Sequence, residues 1–586
     1  MYSDRWNGIQ TETQYNALRF FAQLSEELLY YFSHDSFKVP TLNFHYLCVE
    51  CSSVLAKIED DILDKGNLKP ILLELVDAYK KDPIIRSFYG DDINVHFSLK
   101  NQEGEYHNFL KEILQNPASD AAQQKIKRCM QFFLEDLSRD ARYISKCISK
   151  IRDLITKQYV NYDELDLLQQ YTKIFLTELI NLGYSQEYLY SSVKILFAPE
   201  DESLEAIENC FAKFISCFSM QKKDYAIYLP LYKDQIKEEL ANYQGIKIAD
   251  NVFEMFNPPS PYVIKIIDDA MDPEQAKNFA ISLVEFCLSI SQYCQHSKKS
   301  CAFKSAEVVD LKSGESFSLK LLAQPIHRLI RQPLDPEDLL RTCFNMNFDL
   351  ISAVSLHTSA FETKEPKNQL LNLWTAMEVL IPVERSGSYS RINQISNAVS
   401  SMLTSKYIRS LLKQLDEQLF GALDSEYVDL ISTIEEGTNQ VEKLLALIVL
   451  QKHNDTFQTL CQRLAYAPLL TFRLMQYQNS FMTGSMIKEL YENHSKRLSW
   501  QIMRIYRNRN MIVHDGNTFP FLDLILQNLH FYIDEIIDIF CEKNQLGFDE
   551  SSAIIMHCSL KEQQYLAKIA TTSTIDESNY IDIILG

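Results

Sequence analysis

The sequence predicts a mainly α-helical protein with a small α/β module in its middle. Apolar residues recur at helical spacing near the N-terminus, as at Leu18 and Phe21, which is typical of helices with one buried face. Shorter apolar runs with a strand-like pattern occupy the middle of the chain, and helical spacing then returns. We therefore predict a helical region over residues 1–199, an α/β module over 200–332 and a helical bundle over 333–586.

The N-terminal helical region contains no recognisable catalytic arrangement. Further apolar stripes run through residues 122–156 and 163–195. The histidines of the region are dispersed, so we interpret each as a surface residue or a hydrogen-bonded core residue. We regard this region as a candidate sensor or regulatory domain.

The α/β module is predicted to combine strands with one long helix. Asp272 can cap the helix, Pro273 suits its first position, and Gln275 can complete a capping box. The strand-like runs are residues 225–231, 252–256, 262–267, 307–311 and 315–321, of which the last two flank a turn and form a hairpin. We expect a structural role for this module, since it contains no glycine-rich phosphate loop.

The C-terminal bundle is predicted from successive helical patterns. Asp335 precedes a proline and opens a first helix that is expected to reach about Thr358. A second helix is expected over residues 366–381, further helices form an insertion over about 400–475, and a long amphipathic helix covers 522–540.

The residues with the clearest chemical potential lie at 506–516, where the sequence reads YRNRNMIVHDG. Gly516 can adopt the left-handed conformation that closes a helix, and Pro520 cannot continue one. The stretch therefore predicts the last two turns of a helix, with His514 at the C-terminus.

The spacing of these residues resembles the signature of the HEPN superfamily, whose ribonuclease members carry an Arg-x(4–6)-His motif. Arg509 and Asn510 precede His514, with four residues between the arginine and the histidine. Residues 373–380, LWTAMEVL, are similar to the Leu-Trp-x-Ala-Leu-Glu helix of the Apea-like HEPN branch. The resemblance covers roughly residues 335–586. It implies a helical bundle, a homodimer with a composite cleft, and metal-independent ribonuclease activity.

Side-chain chemistry fits this activity. Cleavage without a metal requires a group to deprotonate the ribose 2′-hydroxyl, charge to stabilise the phosphorane, and help for the leaving oxygen. Histidine has a pKa of about 6.5, and a helix C-terminus favours its protonated form, so His514 suits the acid role as well as the base role. An arginine can contact two phosphate oxygens, and Asn510 can orient either group.

Two arginines compete for the catalytic role. Arg507 also satisfies the motif, with six residues before His514, and it shares a helix face with Asn510 and His514. Arg509 falls on another face and is expected to point into the bundle, where Glu378 is a candidate partner because an unpaired buried carboxylate is costly. The resemblance nevertheless favours Arg509 as catalytic, with Arg507 contacting phosphate.

The charge distribution limits the nucleic acid that could bind. The formal net charge is −20, which repels a polyanion over most of the surface. Residues 493–514 contain no acidic residue and several basic ones, so we predict contact with a few phosphates there, with Arg504 and Arg507 as substrate-binding residues. The alternative is a solvated helix face that pairs with acidic neighbours.

No metal or cofactor is expected. The chain has 13 scattered cysteines, and Cys48 and Cys51 form a CxxC pair without a complete ligand set, which favours reduced thiols. Residues 444–450 are the densest apolar run and are too short to span a bilayer. We expect a cytoplasmic protein without a membrane partner.

Three functions remain open. The first is a toxin-like ribonuclease of prokaryotic antiphage defence, acting by abortive infection. It would be a homodimer through residues 335–586, and residues 1–332 would restrain it or sense a trigger molecule or protein. The second is a non-catalytic scaffold that uses a HEPN-like bundle only to dimerise. The third is an enzyme of another class in the N-terminal half.

Overall fold

The structure is a computed structural model in which the described residues form two compact units. The larger unit takes in the described residues of 1–24, 34–175 and 329–586, and the smaller unit those of 25–33 and 176–328. The described residues are 16–30, 38, 40–91, 93, 113, 115–117, 119–157, 159–197, 204–232, 234–240, 243, 245–250, 256, 260–296, 303–320, 335–363, 365–382, 391–519 and 521–586.

The described residues of the first part of the chain form helices, as predicted. Polar side chains cap the starts of several helices: Asn43 accepts a hydrogen bond from the backbone N–H of Tyr46, and Asp82 accepts from Ile84 and Ile85. The helices are α1 (Asn16–Leu29), α2 (Phe44–Glu59), α3 (Leu68–Lys81), α4 (Pro83–Tyr89), α5 (Asp120–Ser138), α6 (Arg142–Ile155), α7 (Tyr162–Asn181), α8 (Gln186–Leu196) and α9 (Leu204–Ser216).

The smaller unit is built on an antiparallel sheet, and its strand order is β2-β3-β1-β4-β5. Apolar residues of one face of the sheet pack against Ala276, Ala280 and Val284 of its long helix. The elements are β1 (Lys223–Leu231), α10 (Asp234–Leu240), β2 (Lys247–Asp250), β3 (Tyr262–Ala270), α11 (Pro273–Gln295), β4 (Ser305–Asp310) and β5 (Ser316–Lys320).

Predictions for the α/β module are confirmed for four of the five strand-like runs, while most of 252–256 lies outside the described residues. Asp272 caps α11 by accepting from the N–H of Gln275. The Gln275 side chain returns to the N–H of Met271 instead of Asp272, so the predicted capping box is displaced by one residue.

In the rest of the larger unit, the regular secondary structure of the described residues is helical. Its helices are α12 (Pro336–Asn345), α13 (Asn347–Glu362), α14 (Pro366–Leu380), α15 (Arg391–Thr404), α16 (Tyr407–Leu423), α17 (Ser425–Ser432), α18 (Gln440–Val449), α19 (Asn454–Arg463), α20 (Pro468–Ser480), α21 (Gly484–Asp515), α22 (Leu522–Gln545), α23 (Ser551–Thr571) and α24 (Tyr580–Ile584). The first predicted helix is broken: α12 ends before Met346, whose N–H donates to the Thr342 carbonyl, and α13 begins immediately after it.

The predicted insertion shares a core with the C-terminal helices. Buried residues of α16 to α20 cluster with Ile487 of α21, Ile569 of α23 and Ile583 of α24. Close backbone contact is possible because α21 begins at Gly484, where a Cβ atom would lie 2.1 Å from the Ile569 carbonyl oxygen.

The two units do not follow the three-part division predicted from the sequence. The larger unit contains most of the N-terminal helices together with the C-terminal bundle. The smaller unit takes in described residues of 25–33, and its main segment starts at residue 176 instead of 200. Composition revealed the change from helix to strand, but the division into units depends on long-range contacts. In the part of the chain that the structure describes, no helix has the length and apolar character needed to cross a bilayer.

Candidate functional site

The motif lies at the end of the longest described helix, as the glycine signal predicts. Gly516 follows α21 with a φ of 66°, and its N–H donates to the Ile512 carbonyl oxygen at 3.1 Å. His514 stands in the last turn and its side chain is exposed. The imidazole is therefore accessible to a ligand from solvent.

The two segments that carry the family resemblance pack against each other. Trp374 of α14 is 1% exposed, and its ring lies 5.7 Å from that of Tyr506 on α21, measured between centroids. The apolar stripe predicted for α14 is thus confirmed as a buried face, which supports the last turns of α21.

Arg509 and Asn510 form a hydrogen-bonded pair. The Arg509 Nη1 donates to Asn510 Oδ1 at 3.1 Å, and Arg509 is half-buried. The predicted pairing of Arg509 with Glu378 is wrong, because the Glu378 carboxylate pairs with Arg391 at 3.4 Å. Glu378 is itself half-buried, so an arginine at the edge of the bundle can reach it.

Arg504 and Arg507 point inward, which contradicts the exposed, substrate-facing positions predicted for them. They are 2% and 1% exposed, respectively. Glu50 of α2 accepts from Arg504 Nη2 at 3.0 Å and from Arg507 Nη2 at 2.7 Å, and Glu74 of α3 accepts from Arg504 at 2.5 Å. We call these four residues the buried ion cluster. A helical wheel places Arg507 on the same face of α21 as His514. At Arg507, however, that face packs against α2, which supplies Glu50.

Opposing effects act on the carboxyl groups of the buried ion cluster. Burial disfavours the charged form of Glu50, but the guanidinium groups of Arg504 and Arg507 outweigh this and lower its pKa. Burial raises the pKa of Glu74, and the nearby Glu50 carboxylate adds to the rise. Glu50 is therefore the principal counter-charge of the two arginines.

The polar side chain of Asn508 also serves the fold. It is fully buried, its Nδ2 donates to the Arg504 carbonyl, and its Oδ1 accepts from the Phe519 N–H at 3.2 Å. These bonds tie the chain beyond Gly516 back to α21.

Two lysines reach the end of α21 from other helices. Lys57 of α2 pairs with Asp515 at 2.7 Å, and Lys367 of α14 donates to the Gly516 carbonyl oxygen at 2.8 Å. Sequence reasoning missed both lysines, as well as Glu50 and Glu74. Of these four residues, only Glu50 could have been recognised from the sequence. It falls among the apolar residues of α2, where a lone carboxylate needs a buried cation.

A second polar cluster lies between α13 and α22. His357 and His530 are 7% and 1% exposed, and His530 Nδ1 lies 3.0 Å from His357 Nε2. Asp534 Oδ1 is 3.6 Å from the same His357 nitrogen. Burial lowers the pKa of His357 to about 4, so this imidazole is neutral at physiological pH.

The described cysteines are free thiols, and burial raises the pKa of Cys51 to about 12. Across the described ranges, no group of three or more His, Cys, Asp or Glu side chains is arranged to hold a metal ion. No family model, curated protein or solved structure matches the chain.

The groups available for chemistry at the end of α21 are therefore one exposed imidazole, one half-buried guanidinium with its amide partner, and two lysines that contact the helix terminus. Imidazole can transfer protons, and guanidinium can stabilise an anion.

Proposed function

We propose that the protein is a metal-independent endoribonuclease in which the 2′-hydroxyl of RNA loses its proton and attacks the adjacent phosphate. The bond from phosphorus to the 5′-oxygen of the next nucleotide breaks, and that oxygen leaves as a hydroxyl. His514 transfers the proton, Arg509 stabilises the charge on the phosphorane, and Asn510 orients Arg509. The observation that carries the proposal is the Arg509–Asn510 hydrogen bond one turn before the exposed His514.

The ion contacts at the motif revise the proposed roles. Arg504 and Arg507 leave the substrate-binding set because Glu50 and Glu74 already neutralise them in the interior. Arg509 remains the catalytic arginine, since its guanidinium makes no ion pair among the described residues and the residue is half-buried.

The resemblance to HEPN ribonucleases adds the wider setting. Two copies would bring two His514 side chains to one composite cleft, related by a two-fold axis. The protein would act in the cytoplasm as a toxin-like effector of antiphage defence, and its N-terminal part would respond to a trigger molecule or protein. A strict monomer in light scattering that still cleaves RNA would contradict the composite cleft.

A second candidate is a non-catalytic scaffold built on the same bundle. The buried ion cluster favours it, because Arg507, one of the motif's two arginines, has a structural ion-pair partner. The two candidates differ in whether the purified protein cleaves RNA.

The direct test is cleavage of RNA by the purified protein in excess chelator. We expect cleavage to persist and to leave 2′,3′-cyclic phosphate ends, and we expect Arg509→Ala to abolish it in a protein that stays folded. Arg463→Ala is the matched control, since Arg463 is an exposed arginine of another helix. Activity that chelator removes and a divalent ion restores would refute the mechanism.

A further inference from the structure

The C-terminal end of α21 carries a charge that needs compensation. Asp515 is the last residue of the helix. The carbonyl groups of a final turn lack intrahelical partners, and the negative end of the helix dipole disfavours an anion. Asp515 alone would therefore loosen the turn that carries His514.

Two lysines supply that compensation. The Lys57–Asp515 hydrogen bond raises the pKa of Lys57 and lowers that of Asp515, so each group favours the charged form of the other. Lys367 donates to the carbonyl of Gly516, directly beyond the helix. The two lysines come from α2 and α14, more than a hundred residues away along the chain.

We infer that Lys57 and Lys367 are positioning residues of the candidate site, which fix the helix end on which His514 stands. This inference rests on the proposed function. His514 is exposed, so its location depends on the backbone of the last turn. Lys57 holds the side chain that follows His514, and Lys367 holds the backbone one residue further on.

The same contacts join the site to the N-terminal helices. Helix α2 contacts α21 through Glu50 at Arg504 and Arg507, and again through Lys57 at Asp515. A residue of the predicted regulatory region therefore belongs to the site, and a displacement of α2 would reach the last turn of α21 directly.

Hydrogen exchange tests the positioning without depending on activity. Lys57→Met and Lys367→Met keep the aliphatic stem and remove the charge. We expect the amides of residues 512–517 to exchange about two- to fivefold faster in each variant, the range that the loss of a partly exposed ion pair allows. Lys127→Met is the matched control, because it removes an exposed ion pair, Lys127–Glu59, that joins α5 to α2 and includes no residue of the motif. It should leave these amides unchanged.

Kinetics tests the link to catalysis. For RNA cleavage, we expect Lys57→Met to lower kcat with KM unchanged, because a displaced His514 affects the chemical step and not RNA binding. The double variant Lys57→Glu/Asp515→Lys restores an ion pair of opposite orientation, and it should recover both slow exchange and kcat.

Three outcomes would overturn the inference. One is unchanged exchange at residues 512–517 in both lysine variants. Another is faster exchange with unaltered kcat, and the third is a raised KM at constant kcat, which would make the lysines RNA-binding residues. If the wild-type protein cleaves no RNA, the proposed function is refuted, and with it the role of the lysines in positioning His514 for cleavage. The difference in exchange rates alone then decides whether the lysines hold the helix end.

Discussion

Replacing Glu50 should destabilise the protein more than any single change in the motif. The Glu50 side chain is fully buried and is the anion that Arg504 and Arg507 share. Glu50→Ala leaves Arg507 without an ion-pair partner among the described residues, and leaves Arg504 with only Glu74. Removing one partner of a buried ion pair costs about 3 to 5 kcal/mol, and we expect the upper part of that range because two cations are affected.

Replacing Arg507 or Arg509 should cost less free energy of unfolding than replacing Glu50. Arg507→Met should cost about 1 to 3 kcal/mol, because Glu50 keeps Arg504. The change also removes Nε and Nη1 of Arg507, which are buried without a hydrogen-bond partner among the described residues. Arg509→Ala should cost about 0.5 kcal/mol or less, since the side-chain hydrogen bond that Arg509 makes among the described residues is with its neighbour Asn510.

Denaturant unfolding measures these differences. The expected order of destabilisation is Glu50→Ala, then Arg507→Met, then Arg509→Ala. A quadruple variant, Glu50→Met/Glu74→Met/Arg504→Met/Arg507→Met, should recover most of the loss, because apolar replacements of similar volume leave no charge of the buried ion cluster stranded. A Glu50→Ala protein within about 0.5 kcal/mol of wild type, or an Arg509→Ala protein less stable than Glu50→Ala, would refute the structural role of the buried ion cluster.

Two further predictions concern stability. Gly484→Ala should destabilise the protein by about 1 to 3 kcal/mol or more, because its Cβ would lie 2.1 Å from the Ile569 carbonyl oxygen. In the control Gly421→Ala, the new Cβ meets no atom within 4 Å, so this change should stabilise α16 by about 0.5 to 1 kcal/mol. Equal melting temperatures for the two variants would contradict this. The lowered pKa of His357, about 4, means that the unfolded chain binds more protons between about pH 6.5 and 4. The free energy of unfolding should therefore fall by up to about 3 kcal/mol as the pH decreases from about 6.5 to 4, because the buried His357 resists the proton that the unfolded chain binds. Above about pH 6.5, this loss is absent. Melting curves of His357→Gln should depend less on pH there, while the exposed His296→Gln control should behave as wild type.

Local signals explain what the sequence predicted correctly. Asp272, Asp335 and Gly516 mark helix ends because their effect depends on neighbours within a few residues. The apolar stripe of α14 likewise identified the face that buries Trp374.

The orientation of the arginines could not be predicted in this way. Helical geometry relates Arg507 to His514 but does not say which side of α21 is covered. That side is set by Glu50, 457 residues away along the chain from Arg507. The break at Met346 was also missed, because the sequence there contains neither Gly nor Pro, the residues that commonly mark the end of a helix.

In the proposed function, His514 transfers a proton during RNA cleavage. Its most direct test is to sequence the RNA ends from cells that express the wild-type protein or His514→Ala at equal levels, with His296→Ala as an exposed histidine control. We expect new 2′,3′-cyclic phosphate ends with the wild type and with His296→Ala, and none above background with His514→Ala. The same ends at the same frequency with His514→Ala would contradict it.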